Sequence, residues 1–181
     1  EAVEELKQDE FKEVFKDLPR QYERSEPTID TFFEIGIPKL YMPDQADRLS
    51  FYTALFSMIK IEELDEIKEE MIDRFGKIPP NIERLILAAV LRFHSSIALF
   101  ERIIIQQNRI IIILPRAERE IFYKNKFVLL LTYINSNYAK EIKFVQVKES
   151  LKLEMNNKFG SPEAALNYLI KFCKEVIEVI L

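Results

Sequence analysis

Apolar positions along the chain change their period several times, and each change marks an element. Val3, Leu6, Val14 and Phe15 recur roughly at helical spacing among charges, so Glu1 to Lys16 reads as a helix ended by Leu18-Pro19. Alternation over Thr28 to Ile37, with Ile29, Thr31, Phe33, Ile35 and Ile37 on one face, predicts a strand. Pro38 and Pro43 bracket an extended connection, Lys39 to Met42. Asp44 or Asp47 caps a helix carrying Leu49, Tyr52, Phe56 and Ile59 inward. A second helix, Glu62 to Phe75, turns Leu64, Ile67, Met71 and Phe75 inward and stops at Gly76, where a left-handed C-cap falls. Pro79-Pro80 restart the chain into a long helix from about Asn81 to Phe100, with Ile82, Leu85, Ile86, Ala89, Phe93 and Ile97 on its core stripe.

The pattern then shortens. Isoleucine-rich runs at Arg102 to Gln106 and Arg109 to Leu114 flank Gln107-Asn108 as a hairpin. Glu118 to Asn135 fits either strand or buried helix, and its length favours helix. Glu141 to Val147 and Leu151 to Met155 alternate as strands. Ser161 with Pro162 behind it opens a last helix that runs to Leu181. The sum is an α+β fold, with helices crowding the front half, a mostly antiparallel sheet behind and a C-terminal helix. Residues 1–26 read as a helical tail and linker, and residues 27–181 as one domain.

Composition narrows the chemistry. The 181 residues include 3 glycines, 1 histidine and 1 cysteine. Gly36, Gly76 and Gly160 lie too far apart for a phosphate cradle, which needs clustered glycines so that backbone N–H groups can approach the anion. His94 and Cys173 together fall short of a zinc ligand set, and no disulfide can form within the chain. His94 lies one step from its helix's apolar stripe and reads as a boundary residue; Cys173 reads as a packed thiol. No cofactor or metal is expected, and an enzyme is disfavoured. No apolar run approaches the roughly 20 residues of a membrane span, and the first residues do not resemble a signal peptide, so a cytoplasmic protein without membrane contact is expected.

The net charge of −4 conceals an uneven distribution. Glu62 to Asp73 holds seven acids against Lys68 alone, whereas Arg102 to Lys158 holds eleven Lys/Arg against five Asp/Glu. At about 100° per residue, Glu62, Glu66, Glu69, Glu70 and Asp73 share the helix face opposite Leu64, Ile67 and Met71. Such a face is ordinary as a solvated surface, with Glu70 and Arg74 paired at i,i+4. Yet its crowded carboxylates repel one another, and a basic partner surface would relieve that repulsion. A convex helix face cannot set two carboxylates across a cleft, which argues against acid/base chemistry here. In the rear half, Lys124, Lys126, Lys140, Lys143, Lys148, Lys152 and Lys158 interleave with Phe122, Tyr123, Phe127 and Tyr133. A nucleic-acid-binding module is the alternative that this pattern raises, although the aromatics are better explained as core.

Ile37-Pro38-Lys39-Leu40-Tyr41-Met42-Pro43-Asp44, Arg48 to Tyr52, Glu63-Leu64 and Glu70-Met71-Ile72-Asp73-Arg74-Phe75-Gly76-Lys77-Ile78-Pro79 carry a specific likeness. In motif order and spacing the chain resembles the C-terminal (TRCF) domain of the bacterial transcription-repair coupling factors, the Mfd family. The resemblance is close over roughly Ile35 to Pro80 and looser beyond. The opening helix resembles the end of that family's translocase motor. The resemblance implies a non-catalytic regulatory domain of an ATP-driven DNA translocase that acts on stalled RNA polymerase, its ATPase lying upstream. It implies docking on the UvrB-like module of the same parent chain, which masks the surface that recruits UvrA. RNA polymerase and DNA would be reached through the full protein. Carried over by position, the docking acids are Glu70 and Asp73, on the face already marked with Glu66; Arg74 would orient Glu70. The family commonly has a basic pair after the tyrosine matching Tyr52, where this chain has Thr53-Ala54, so a contact through that pair is not expected here.

Overall fold

A computed structural model describes residues 23–181; the helix expected over Glu1 to Lys16 lies outside the described residues. Among the described residues, five strands and five helices follow one another as β1 (Thr28–Thr31), α1 (Gln45–Phe56), α2 (Glu63–Phe75), α3 (Pro80–Ile97), β2 (Arg102–Ile105), β3 (Arg109–Ile113), a π-helical turn (Phe122–Lys126) leading into α4 (Phe127–Asn137), β4 (Ile142–Val147), β5 (Ser150–Asn156) and α5 (Pro162–Ile180). The sheet order is β1-β2-β3-β5-β4. Only β1 runs parallel to its neighbour; the β2-β3, β3-β5 and β5-β4 pairs are antiparallel. The fold is α+β, as the periodicity implied.

Two apolar clusters meet at α3. The rear cluster joins the inward face of the sheet to α3, α4 and α5: Ile103, Ile105, Ile110, Ile112 and Leu153 are sealed beneath Leu91, Leu166, Leu169 and Phe172. The front cluster packs Met42, Phe51, Leu55 and Met71 against Ile82, Leu85, Ile86 and Ala89 on another side of α3. A helix with two such stripes is a shared wall, consistent with its nearly continuous burial. Arg92 strengthens the joint, donating from Nε to the carbonyl of Pro27 (3.1 Å) and from Nη1 to that of Phe56 (2.5 Å).

Several local expectations are corrected. The first strand covers four residues, not ten, because its partner β2 ends at Ile105; the Phe32 N–H makes the last bond to that carbonyl at 3.0 Å. Lys39 to Met42 is a turn and not an extended connection: Tyr41 and Met42 N–H groups both return to the Pro38 carbonyl at 3.0 Å. Asp44 is the cap of α1, with Oδ1 accepting from Ala46 and Asp47 N–H groups. The core stripe of α1 runs through Phe51 and Leu55; Leu49 faces solvent, and so does Ile59, which follows the helix end at Phe56. Gly76 has φ 84° and ψ −162°, a region open essentially to glycine alone, in place of the left-handed conformation expected. The long helix stops at Ile97 because Leu99 takes φ 66° and the Phe100 N–H turns back to the Ser95 carbonyl at 3.0 Å. The ambiguous segment after β3 is helical, and it opens with the π turn.

Candidate docking site

The acidic helix α2 lies on the front cluster through one fully buried residue, Met71, with Leu64, Ile67 and Phe75 half-buried around it. Glu62, Glu66, Glu69, Glu70 and Asp73 are all exposed on the far side, as the helix geometry requires. Glu63 is drawn inward and caps the preceding loop, its Oε1 accepting from the N–H groups of Ile59 (3.1 Å) and Lys60 (2.8 Å). Helix-start chemistry therefore accounts for one of the seven acids, while five remain on the outward face.

Arg74 organises the C-terminal half of this face. Its Nη2 meets Asp47 Oδ1 of α1 at 2.6 Å, and its Nη1 meets Glu70 Oε1 at 3.0 Å. The guanidinium also stands 4.9 Å from the Phe75 ring centroid and 5.6 Å from that of Phe51. The hydrogen bonds it donates to Asp47 and then to Glu70 hold the guanidinium pKa above its ordinary value. The pairing of Arg74 with Glu70 was readable at i,i+4. The role of Asp47 was not: it rivalled Asp44 as a cap, and only the packing of α1 on α2 shows that Asp44 caps while Asp47 faces Arg74.

The turn before α1 completes the frame. Tyr41 donates its hydroxyl hydrogen toward the carbonyls of Gly76 (2.8 Å) and Met71 (3.2 Å), tying the 38–42 turn to the end of α2. Partial burial raises its pKa. Arg48 Nη1 donates to the carbonyls of Met42 and Pro43, each at 2.7 Å. The Ile37 N–H donates to the Tyr52 hydroxyl at 2.7 Å, and a Cβ at Gly36 would press on that oxygen at 3.0 Å. The proline-flanked tyrosine segment and the acidic helix are thus one assembly. Glu66, Glu69 and Asp73 make no ion pair among the described residues, whereas Glu70 is oriented by Arg74.

Other sequence candidates fall elsewhere. His94 is half-buried on α3, and burial, then Lys174, lowers its pKa to about 4. Cys173 is sealed against Ser95 in the rear cluster, where burial pushes its thiol up to about 12, far from an activated nucleophile. Phe122 is core, and Tyr123, Phe127 and Tyr133 pack against the rear cluster. No set of three or more His, Cys, Asp or Glu side chains converges to hold a metal among the described residues, and none of the described helices is long and apolar enough to cross a membrane.

The features define a class: a two-cluster α+β domain that displays a charged helix on a frame of arginine and tyrosine clasps. A family model described as the TRCF domain matches residues 31–124, just over half of the chain, and the chain belongs to that family. The transcription-repair-coupling factor of Bacillus subtilis is 27% identical over 180 residues, 99% of this chain and 14% of that protein. The protein of the same name from Escherichia coli is 45% identical over 66 residues, covering 34% of this chain and 6% of its own length. This chain therefore spans a small part of its full-length relatives. A crystal structure of the C-terminal domain of transcription-repair coupling factor superposes with TM-score 0.70 over 87% of this chain and 96% of that one, at 18% identity. That likeness supports the fold.

Proposed function

We propose that this chain is the regulatory C-terminal part of a transcription-repair coupling factor acting in transcription-coupled DNA repair, with residues 1–26 as tail and linker from the motor and 27–181 as the regulatory domain. The exposed face of α2 docks on a basic surface of the UvrB-like module of the parent chain and masks the surface that binds UvrA. Family membership supports the repair context. The docking reading is carried by one observation: among the described residues, Glu66, Glu69 and Asp73 have no ion-pair partner on a single exposed helix face, beside a Glu70 held in place by Arg74, which Asp47 braces in turn. Exposed ion pairs are individually weak, so a contact made of several of them can be released without a large barrier. The domain acts by contact and performs no catalysis; Arg74 is a positioning residue that fixes the Glu70 carboxylate and joins α1 to α2.

The test uses the full-length protein. Glu70→Ala with Asp73→Ala leaves the fold intact, since both side chains face solvent, and raises affinity for UvrA at least tenfold in a pull-down or titration. Unchanged UvrA affinity in a folded double variant would reject the docking assignment.

A further inference from the structure

The rear half contains a second charged surface, unconnected with α2. At the end of the sheet where β3 and β4 begin and β5 ends, two adjoining depressions of about 290 and 250 Å³ share Lys140, Glu141, Met155 and Asn156. Arg109 and Lys143 line one depression and Lys158 the other, so four cations stand along one groove with two carboxylates, Glu141 and Glu154. Phe159 and Tyr168 form its wall, their ring centroids 4.7 Å apart and their planes at 43°.

The groove is built on fixed backbone. The Asn157 side chain donates to the Gln106 carbonyl at 2.7 Å, and its N–H to the Asn108 carbonyl at 2.9 Å, so the β2–β3 turn is tied to the segment after β5. Arg109 differs from the other described arginines. Arg74, Arg84, Arg102, Arg116 and Arg119 pair with carboxylates, and Arg24, Arg48 and Arg92 donate to carbonyls. Among the described residues Arg109 is held only through Nε, by the neutral Gln106 Oε1 at 2.5 Å, which aims the guanidinium while leaving both Nη groups for a ligand. Lys140, Lys143 and Lys158 likewise make no ion pair among the described residues. Glu141 is engaged by the Tyr168 hydroxyl, which donates to it at 3.3 Å.

We infer that this groove binds single-stranded nucleic acid. An oriented guanidinium fork matches a phosphate, point-charge lysines follow the next phosphates, and a half-buried aromatic pair offers a face for a base. An acidic peptide would meet the same cations, but it has no use for the aromatic wall. The two carboxylates in the groove keep the affinity modest and the contact dependent on phosphate spacing. This inference does not rest on the docking reading, which concerns other residues.

The test is fluorescence anisotropy with the 181-residue chain and a labelled twelve-nucleotide oligothymidylate. Binding at 50 mM salt with a dissociation constant of about 10–100 µM is expected, its logarithm changing by about 2–3 per decade of salt for three to four phosphates. Arg109→Gln with Lys143→Gln weakens binding about tenfold or more, and Arg109→Lys, which keeps the charge and loses the fork, weakens it less. Lys124→Gln with Lys126→Gln, on the π turn outside the groove, leaves it unchanged. Thermal melting verifies that each variant is folded. Absence of binding at 50 mM salt, equal binding by Arg109→Gln/Lys143→Gln, or displacement of the oligonucleotide by a polyglutamate peptide at a lower charge concentration than by unlabelled oligothymidylate would each overturn the inference.

Discussion

The two sides of α3 are held together in different ways. Behind it, the rear cluster is a continuous apolar layer in which a sheet ladder supplies the order and the side chains supply volume. In front, the smaller cluster of α1, α2 and the 38–42 turn depends on polar clasps at its rim: Tyr41 on α2, Arg48 on the turn, Tyr52 on Ile37, Arg74 across α1 and α2, and Arg92 from α3. An apolar position tolerates a swap of similar volume, whereas a bidentate arginine or a donating tyrosine has no substitute. The family match covers residues 31–124, which is the clasped front and the first hairpin, and it leaves out α4, β4, β5 and α5. The match thus takes in all of the clasped front and only part of the backbone-paired rear.

The strongest way to break this contrast is to open one buried hole on each side. Phe172 is 1% exposed and stacks on Phe100 with centroids 6.3 Å apart; Met71 is 0% exposed. Phe172→Ala should cost about 3–5 kcal/mol and Met71→Ala about 2–5 kcal/mol. Their reach should differ more than their size. Hydrogen exchange should rise throughout the sheet and α3 in Phe172→Ala, but mainly in α1 and α2 in Met71→Ala, because the rear layer holds α3 without the front. Equal loss of protection across the sheet in Met71→Ala would show that the two clusters form one cooperative unit.

A smaller effect is expected from Arg74→Ala, which leaves the front core intact and removes its rim. Unfolding should occur at lower urea than in the parent, by less than for Met71→Ala, with exchange rising in α1 and the C-terminal half of α2. Arg74→Lys should recover part of the loss: an ammonium can reach one carboxylate but cannot fork to Asp47 and Glu70 while covering two rings. Full recovery by lysine would mean that charge alone matters at this site.

The joint between the two sides carries a pH dependence. His94 on α3 has its pKa lowered to about 4 from an ordinary 6.5, first by burial and then by Lys174. The unfolded chain takes up a proton there as pH falls through 6.5, while the folded chain resists until about 4. This contribution is therefore fully present above pH 6.5 and declines as the pH drops toward 4. With part of the ring open to solvent, the loss should be about 1–2 kcal/mol. Urea titrations at pH 7.0 and 4.5 should show the loss in the parent and a smaller one in His94→Gln.

What could be read from residue order follows the same division. Hairpins, caps and helix stripes were readable because each is set by neighbours within a few positions: Gln107-Asn108 at the turn, Ser161-Pro162 at the helix start, and the acidic face by arithmetic alone. Positions decided by distant packing were not. Phe51 replaced Leu49 on the α1 core stripe because α2 and α3 approach from that side. Alternation through Phe33, Ile35 and Ile37 could not reveal that β2 is too short to pair beyond Thr31. At the candidate site, Glu66, Glu69, Glu70, Asp73 and the Glu70–Arg74 pair were visible, while Asp47, 27 residues away from Arg74 in sequence, was not.

The smallest expected effect lies within the acidic helix α2. Glu69 has Asp65, Glu66 and Asp73 as like-charged neighbours at i−4, i−3 and i+4, and it lies beyond the first turn, so the helix dipole gives it little in return. Glu66 has Glu62, Glu63, Glu69 and Glu70 around it, Glu63 being engaged by the Ile59 and Lys60 N–H groups, but it belongs to the first turn, where a negative charge is favoured. Glu69→Gln should therefore stabilise the isolated domain by about 0.3 kcal/mol, while Glu66→Gln should be close to neutral, its lost dipole interaction offsetting the relieved repulsion. The gain in Glu69→Gln should disappear in 1 M salt, where the Debye length falls to about 3 Å. Urea titrations at low and high salt resolve the two cases. If both variants were neutral at low salt, the acids would be far enough apart in solution to repel weakly, and the helix face would hold no electrostatic strain for a basic partner to relieve.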